Sequence, residues 1–365
     1  MQRPYAFSEI TNFQFVVLIT GAQIGIGILT LPADVAEVAD TSGWISVIIG
    51  WALTAVASIV IVKVMSYYPD STIIDVFPKL FGKYIGGLFI IGWLLYALFA
   101  AGLVFYTSIF LIQIWILPHM PLYGLSILFS FPGYLVARHS VRVLGRYAEV
   151  VFFLTLWMFV FSFFLFENIY PSYLLPIIKD GWIPILQATH TVVLSFIGFE
   201  ITFMLYPYLQ DKTFAIKGVL IANSLTLGFY LFILFLCFIF FSPYEITSYK
   251  WPTLNLLKVI ELPFIERLEI LFLSFYLLTL STTGIPYFYI AAVSLAKLFG
   301  KQEHKIPTIV LFSFMVIISF FYSPAEKQLE QLITFWGNSA IGISYIFPVV
   351  LLVVVYIIHK VRKRK

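Results

Sequence analysis

Long apolar runs alternate with short polar stretches along the whole 365-residue chain. Runs of membrane-spanning length predict helices at roughly 13–32, 43–65, 86–116, 121–137, 147–166, 183–206, 217–241, 268–298, 306–322 and 332–358. The expected fold is an all-α polytopic membrane protein with about ten transmembrane helices. It forms one transmembrane domain over residues 1–365, with a first half at about 8–170, a second at about 180–358 and a basic tail at 359–365. No polar, periodic stretch of about 50 residues or more offers a separate soluble domain. Residues 1–12 are polar and lack the hydrophobic stretch and cleavage site of a secretory signal, so the first span is expected to stay in the mature protein.

Composition strengthens this reading. Apolar residues make up 61% of the chain and charged residues 11%, against about a quarter charged in a soluble domain. The 39 phenylalanines, 22 tyrosines and 8 tryptophans suit lipid-facing surfaces and interfacial belts. With ten spans and the amino terminus inside, only Lys179, Lys250, Lys258, Arg267 and Lys327 of the 22 Lys and Arg residues fall outside, so both termini are expected in the cytoplasm. The tail residues Lys360, Arg362, Lys363, Arg364 and Lys365 suit anionic headgroups, which makes the lipid bilayer the expected large partner and excludes nucleic acid. The single cysteine, Cys237, lies in an apolar run and reads as a small core residue. The longest outside loop, about 242–266, carries Trp251, Pro252 and Pro263 and reads as an ordered cap.

Two spans carry features that a plain lipid-facing helix does not need. Span 1 reads Thr20-Gly-Ala-Gln-Ile-Gly-Ile-Gly-Ile-Leu-Thr-Leu-Pro32, with Gly25 and Gly27 at mid-membrane beside Gln23. Unwinding there would free amides and carbonyls that lipid cannot satisfy, so a break must face a cavity or a bound solute. The half-helix starting near Gly27 would point its positive end at an anion such as a carboxylate. The plainer alternative is helix packing, because Gly21 and Gly25 also satisfy GxxxG. Span 6 supplies a counterpart in Ser195-Phe-Ile-Gly-Phe-Glu-Ile-Thr202, where Gly198 stands next to Glu200. A carboxylate at that depth costs several kcal/mol unless paired, protonated or hydrated, and such acids mark ion or substrate paths. Its plainer alternative is a protonated structural hydrogen bonder. Spans 1 and 6 open the two five-helix halves and run in opposite directions, and glycine-interrupted helices at matching places in inverted halves point to a transporter-type binding site.

In span 8, Tyr276, Thr279, Thr283 and Tyr287 share one helical face at about 100° per residue and are expected to line the cavity. Any one threonine could instead bond its own helix backbone. Tyr96 in span 3 stands one turn before the small Ala100, and a lone tyrosine there is equally compatible with packing. His190 has no metal-ligand companion and reads as a hydrogen-bonded core histidine.

These residues resemble the B subunits of spore germinant receptors, endospore germination permeases within the amino acid, polyamine and organocation superfamily. The resemblance covers essentially the whole chain. It is carried by Gly25-Ile-Gly-Ile-Leu-Thr-Leu-Pro32 with Ser42-Gly43-Trp44, by Ser195-Phe-Ile-Gly-Phe-Glu200, and by Trp251-Pro252-Thr253 followed by Phe264-Ile265-Glu266-Arg267. It implies the ten-helix inverted repeat with broken helices 1 and 6, a place in the inner membrane of a bacterial spore, and two partners, a membrane-embedded A subunit and a C-subunit lipoprotein. The implied ligand is a small nutrient germinant, usually an amino acid. The resemblance places it against Gly25 and Gly27 and against Ile197 and Gly198, with Tyr96, Ala100, Thr283 and Tyr287 completing the wall. Ser281 and Thr282 resemble the hydroxyl pair that helps hold sodium in related symporters. Proton-coupled relatives use a lysine in span 5, where this chain has only Glu149, so that proton mechanism is not expected here.

The leading expectation is a germinant sensor in which the ligand carboxylate meets the amides of Gly25 to Gly27 and its ammonium meets span 6 carbonyls, helped by Glu200. The rival is an amino acid permease that moves solute by alternating access, with or without a coupling ion. An enzyme would need a nucleophile with its base or a metal cluster, and neither HExxH nor GxSxG nor clustered His and carboxylates occurs. No cofactor is expected. A purely structural scaffold gives no reason for a carboxylate and two glycine breaks at mid-membrane.

Overall fold

The computed structural model of the protein describes residues 8–159, 165, 169–260 and 267–362. Arg3, the predicted end of span 5 at 160–164 and 166, Phe264-Ile265-Glu266, and the tail residues Lys363, Arg364 and Lys365 lie outside the described residues. All regular elements among those described are helical.

Span 1 starts at a reciprocal cap, in which Thr11 Oγ1 accepts from the Gln14 amide and Gln14 Oε1 accepts from the Thr11 amide, both at 3.2 Å. Helix α1 (Asn12–Gln23) then stops, and α2 (Gly27–Ala39) resumes after three residues. The break expected at Gly25 and Gly27 is therefore present, and the second half of span 1 runs seven residues beyond the predicted end at Pro32. Helix α3 (Gly43–Ser66) follows through a 3-10 turn at Asp40–Ser42. The 43 residues of α4 (Ile73–Trp115) would reach on the order of 65 Å if straight. Gly82, at φ 78° and ψ 175°, turns the backbone and separates a short leading segment from the span proper, close to where the apolar run begins.

The remaining helices are α5 (Leu122–Ala137), α6 (Val141–Thr155), α7 (Trp182–Ser195), α8 (Thr202–Leu205), α9 (Ala215–Phe240), α10 (Pro243–Ser248), α11 (Pro252–Lys258), α12 (Leu268–Leu298), α13 (Lys305–Phe321), α14 (Glu326–Ile341) and α15 (Phe347–Arg362). Span 6 is α7, a 3-10 turn at Phe199–Ile201 and α8, bent by 45° at the interruption. Span 10 is α14 and α15 joined by a π-helical turn at Gly342–Ile346. Gly27–Ser66, Ile73–Trp115, Lys212–Phe240, Leu268–Leu298 and Glu326–Val361 are each long and apolar enough to cross a membrane, and the bent pair in span 6 makes a further crossing. The protein is thus a multi-pass helical membrane protein.

Span 1 and span 6 are the enclosed elements. Helix α1 lies among α6, α9 and α12, and α7 lies among α2, α3 and α14, while α4 and α12 form the most extensive helix pair. Cys237 is fully buried, as expected. His190 is not a core residue: it is exposed on α7, because the buried positions of that helix are Ile185, Ala188, Thr189, Val192 and Val193, and residue 190 falls on the opposite side.

Both ends of the bundle are tied. At the end holding the amino-terminal segment, Ile10 pairs with the end of span 6: its amide donates to Tyr208 O at 2.9 Å and its carbonyl accepts from the Gln210 amide at 3.2 Å. Lys212 Nζ donates to the carbonyls of Pro207 and Leu209 at 2.9 and 3.0 Å, and Lys297 pairs with Asp75 at 2.6 Å. At the other end the predicted cap is ordered over its described part. Helix α11 packs on α2, and Thr253 Oγ1 donates to Ile28 O at 2.9 Å. Lys250 bridges to Glu326 and to Glu330 on α14, the latter at 2.6 Å.

Gly198 sets the tightest constraint on span 6. Its φ is +132°, and an added Cβ would sit 2.5 Å from Ala22 O. Gly198→Ala is expected to destabilise by several kcal/mol, the sum of backbone strain and steric displacement. Gly87→Ala, where a Cβ meets nothing within 4 Å, should leave the melting temperature unchanged or slightly higher. Thermal unfolding of the two variants in detergent checks this, and equal stability would show that the span 6 break does not depend on glycine.

Candidate functional site

The two breaks lie side by side, and their freed backbone groups are satisfied by side chains from neighbouring spans. In span 1, Gly21 O accepts from Thr283 Oγ1 at 2.8 Å and Gly25 O accepts from Tyr276 Oη at 2.6 Å. In span 6, Phe196 O accepts from Gln23 Nε2 at 3.1 Å and Val193 O accepts from Tyr345 Oη at 3.0 Å. Tyr230 Oη stands 2.8 Å from Gln23 O and 2.7 Å from Ser195 O, so a single phenolic proton is shared between the last carbonyls of α1 and α7. Gln23 is itself held by Asn223 Oδ1 at 2.8 Å and by Thr226 Oγ1 at 2.7 Å, and Asn223 reaches Ser58 on α3 at 2.9 Å.

This arrangement sorts charge. The carboxyl ends of α1 and α7, with their partial negative charge, converge at Tyr230. The amino end of α2 has no side-chain cap, which leaves the first amides of that helix, Gly27 and Ile28, without intrahelical acceptors. Gly27 faces the end of α7, where a Cβ would meet Ser195 Oγ at 3.2 Å. Amide donors and carbonyl acceptors thus stand within one region, where each counts for more than in water.

Glu200 is 0% exposed. One carboxylate oxygen accepts from the Gly198 amide at 2.8 Å, and the other accepts from Tyr96 Oη at 2.7 Å and from Tyr287 Oη. Three donors satisfy the carboxylate, and no ion pair to it occurs among the described residues. Rings surround it. Trp336 stacks on Tyr96 at 5.6 Å and 18°, and it meets the edge of Tyr287 at 6.4 Å. Ser344, inside the π-helical turn of span 10, lies 3.5 Å from Tyr96 Oη.

The predicted residues fall into four groups. Gly25, Gly27, Ile197, Gly198, Glu200, Tyr96, Thr283 and Tyr287 are gathered around the breaks, and Tyr276 joins them. Ala100 is buried in the core one turn beyond Tyr96. Thr279, the fourth member of the span 8 stripe, lines an apolar cavity of about 100 Å³ behind α1. Ser281 and Thr282 do not act as a pair. Ser281 Oγ bonds Tyr147 Oη and Leu278 O, away from span 1, whereas Thr282 Oγ1 reaches Gly21 O at 3.4 Å and Thr283 Oγ1 reaches Ile24 O at 3.4 Å. The hydroxyls facing the span 1 carbonyls are thus those of Thr282 and Thr283.

Tyr230, Asn223 and Thr226 were not among the predicted site residues. Their spacing of three and four places them on one face of α9, so the stripe test that found span 8 would also have found them. Ser344 and Tyr345 carry no comparable signal because they lie inside a π-helical turn, and Trp336, on α14 before that turn, is one of eight tryptophans with no further mark in the sequence.

A family model described as "Spore germination protein" matches residues 9–328. The spore germination protein YndE of Bacillus subtilis (strain 168) is 27% identical over 98% of both chains. The spore germination protein GerQB of Bacillus cereus is 26% identical over 93% of both, and the spore germination protein B2 of Bacillus subtilis (strain 168) is 22% identical over 98% of this chain and 96% of that one. Among solved structures, the fold resembles Mhp1, a nucleobase-cation-symport-1 family transporter in a closed conformation with bromovinylhydantoin bound, with a TM-score of 0.69 at 14% identity over 96% of this chain and 79% of that one. It also resembles MhsT in complex with L-phenylalanine, with a TM-score of 0.64 at 12% identity over 92% and 87% of the two chains.

The donors on Glu200 should be energetically coupled to it. Tyr287→Phe removes one of three, and is expected to cost about 1–3 kcal/mol of stability. In a Glu200→Gln background the same change should cost clearly less, because the charge that the phenol serves is gone. A double-mutant cycle read by thermal unfolding tests this, and additive costs would show that the hydrogen bond carries no coupling energy.

Proposed function

Because the chain belongs to the spore germination protein family, we propose that it is the ligand-binding membrane subunit of a nutrient-germinant receptor, taking a small amino acid at the paired breaks of spans 1 and 6. The observation that carries this reading is the convergence at one depth of an uncapped helix start at Gly27, two helix carboxyl ends bridged by Tyr230, and Glu200 without a cationic partner among the described residues. The ligand carboxylate goes to the uncapped amides of Gly27 and Ile28, since the Gly25 amide already donates to Gln23 O at 2.8 Å. Its ammonium goes to the span 6 carbonyls and to Glu200, where it supplies the positive charge that the buried carboxylate lacks.

In this reading the protein lies in the spore inner membrane with both termini in the cytoplasm and signals through an A subunit and a C-subunit lipoprotein. Binding biases a two-state bundle, and moving it from 1:99 to 99:1 requires roughly 5.5 kcal/mol of differential affinity. A second reading, an amino acid permease working by alternating access, is favoured by the transporter fold that the chain shares with MhsT and Mhp1. The same pocket serves both, and the difference is whether occupancy is reported or the solute is released on the far side.

The test is a thermal-shift screen of the protein in nanodiscs against amino acids, sugars and nucleosides. An amino acid at about 100 times its Kd should add about 2.7 kcal/mol of stability. Gly25→Trp should abolish the shift while the protein stays folded, because a Cβ at Gly25 already meets Thr283 at 3.5 Å and an indole fills the space beyond. Amino acid uptake into proteoliposomes then separates the readings, with none expected for the sensor and concentrative or exchange uptake for the permease. A shift with sugars or nucleosides alone, or one that survives Gly25→Trp, overturns the amino acid site.

A further inference from the structure

Span 10 contributes a residue to this site that the two breaks do not explain. Trp336 lies on α14 one residue before Gly337, whose Cα packs so closely on α7 that a Cβ would meet Leu194 Cδ2 at 3.2 Å. Its ring contacts both phenols that donate to Glu200. Tyr96, Tyr287 and Glu200 are buried, whereas Trp336 is half-buried. The indole nitrogen itself is buried and has no acceptor among the described residues. The indole nitrogens of Trp51, Trp93 and Trp115 are likewise buried without an acceptor, and Trp93 also meets Tyr96, but of the four Trp336 is the one with ring contacts to both phenols on Glu200, where a ligand atom could complete its bond.

We propose that Trp336 is a specificity-determining residue, donating its indole N–H to an acceptor oxygen in the ligand's side chain, and that the site accordingly prefers neutral amino acids with a side-chain amide or hydroxyl. The proposal rests on the amino acid reading above. With the α-carboxylate at the start of α2 and the α-ammonium beside Glu200, the third substituent of the α-carbon is the only one left to meet a wall made by Trp336. An aliphatic side chain there would leave the donor buried and unpaired, and a site built to make a hydrogen bond discriminates strongly against an analogue that cannot complete it. The stacking of Trp336 on Tyr96, whose hydroxyl is fixed on Glu200, restricts the ring's orientation, which keeps the unpaired N–H from turning away.

Near-isosteric pairs supply the test: threonine against valine and asparagine against leucine, with Kd from thermal-shift titrations of the protein in nanodiscs. The oxygen-bearing member of each pair should bind about tenfold or more tightly. Trp336→Phe keeps a ring and removes the donor, and should reduce that preference to within about threefold by weakening the polar ligands alone. Trp336→His, which retains a ring N–H, should keep part of it. Trp51→Phe, at another indole without an acceptor but on α3 outside the site, should retain the full preference. Equal binding within each pair by the parent protein overturns the proposal without any variant, and a preference that survives Trp336→Phe overturns it as well. Failure of the underlying reading looks different: the parent then shows no amino acid shift at all, or one that Gly25→Trp leaves intact.

Discussion

Backbone groups released inside a membrane have no water to bond, and that constraint organises the centre of this protein. Two helices stop within the bundle, and the carbonyls they release are met by Thr283, Tyr276, Gln23, Tyr345 and Tyr230. Gln23 serves one break from within the other, so neither interruption is satisfied independently. The remaining donors come from spans 7, 8 and 10, far apart in sequence. The breaks therefore become tolerable only once those spans have assembled around them, and the polar residues in otherwise apolar helices follow from that need.

Tyr230 has one proton for Gln23 O and Ser195 O, and because Gln23 O also accepts from the Gly25 amide at 2.8 Å, that proton is needed chiefly at Ser195 O. Glu200 is satisfied by an amide and two phenols and has no cationic partner among the described residues.

Much of this was legible in the sequence because it depends on local pattern. Apolar length placed the spans, and glycine beside a polar residue at mid-membrane marked both interruptions. Where two readings of Gly25 stood open, the structure separates them by position: Gly21 packs against Thr282, while Gly25 lies within the unwound turn. Glu200 was conspicuous for its depth, but its partners were not, since Tyr96 is 104 residues away and Tyr287 is 87. His190 was misplaced because the side of α7 that faces the bundle is set by packing against α2 and α3, which one helix cannot disclose. Ser281 and Thr282 are adjacent in sequence yet point to different neighbours, as a 100° step requires. The role of span 10 was hidden for a related reason. A π-helical turn adds a residue to the cycle, so the face that follows it cannot be read from the 3.6-residue period that precedes it.

Spans 1 and 6 are joined at two levels, at mid-depth through Tyr230 and Gln23 and at the amino-terminal end through the pairing of Ile10 with Tyr208 and Gln210. A displacement of one break is therefore carried to the other. Span 10 touches span 6 and span 3: Tyr345 bonds Val193 O near the end of α7, and Ser344 and Trp336 contact Tyr96 of α4 on the Glu200 side. A displacement of Glu200 would reach span 10 through Tyr96, which bonds Glu200 and contacts Ser344 and Trp336. A transporter would need the ties at both ends of the bundle to open in alternation. A sensor needs only this displacement, transmitted along a helix whose outward face, including Ile346, Val349, Val350 and Val353, remains available within the membrane. The same pair of broken helices thus serves either task, and what distinguishes them physically is whether the ends release or the flank moves.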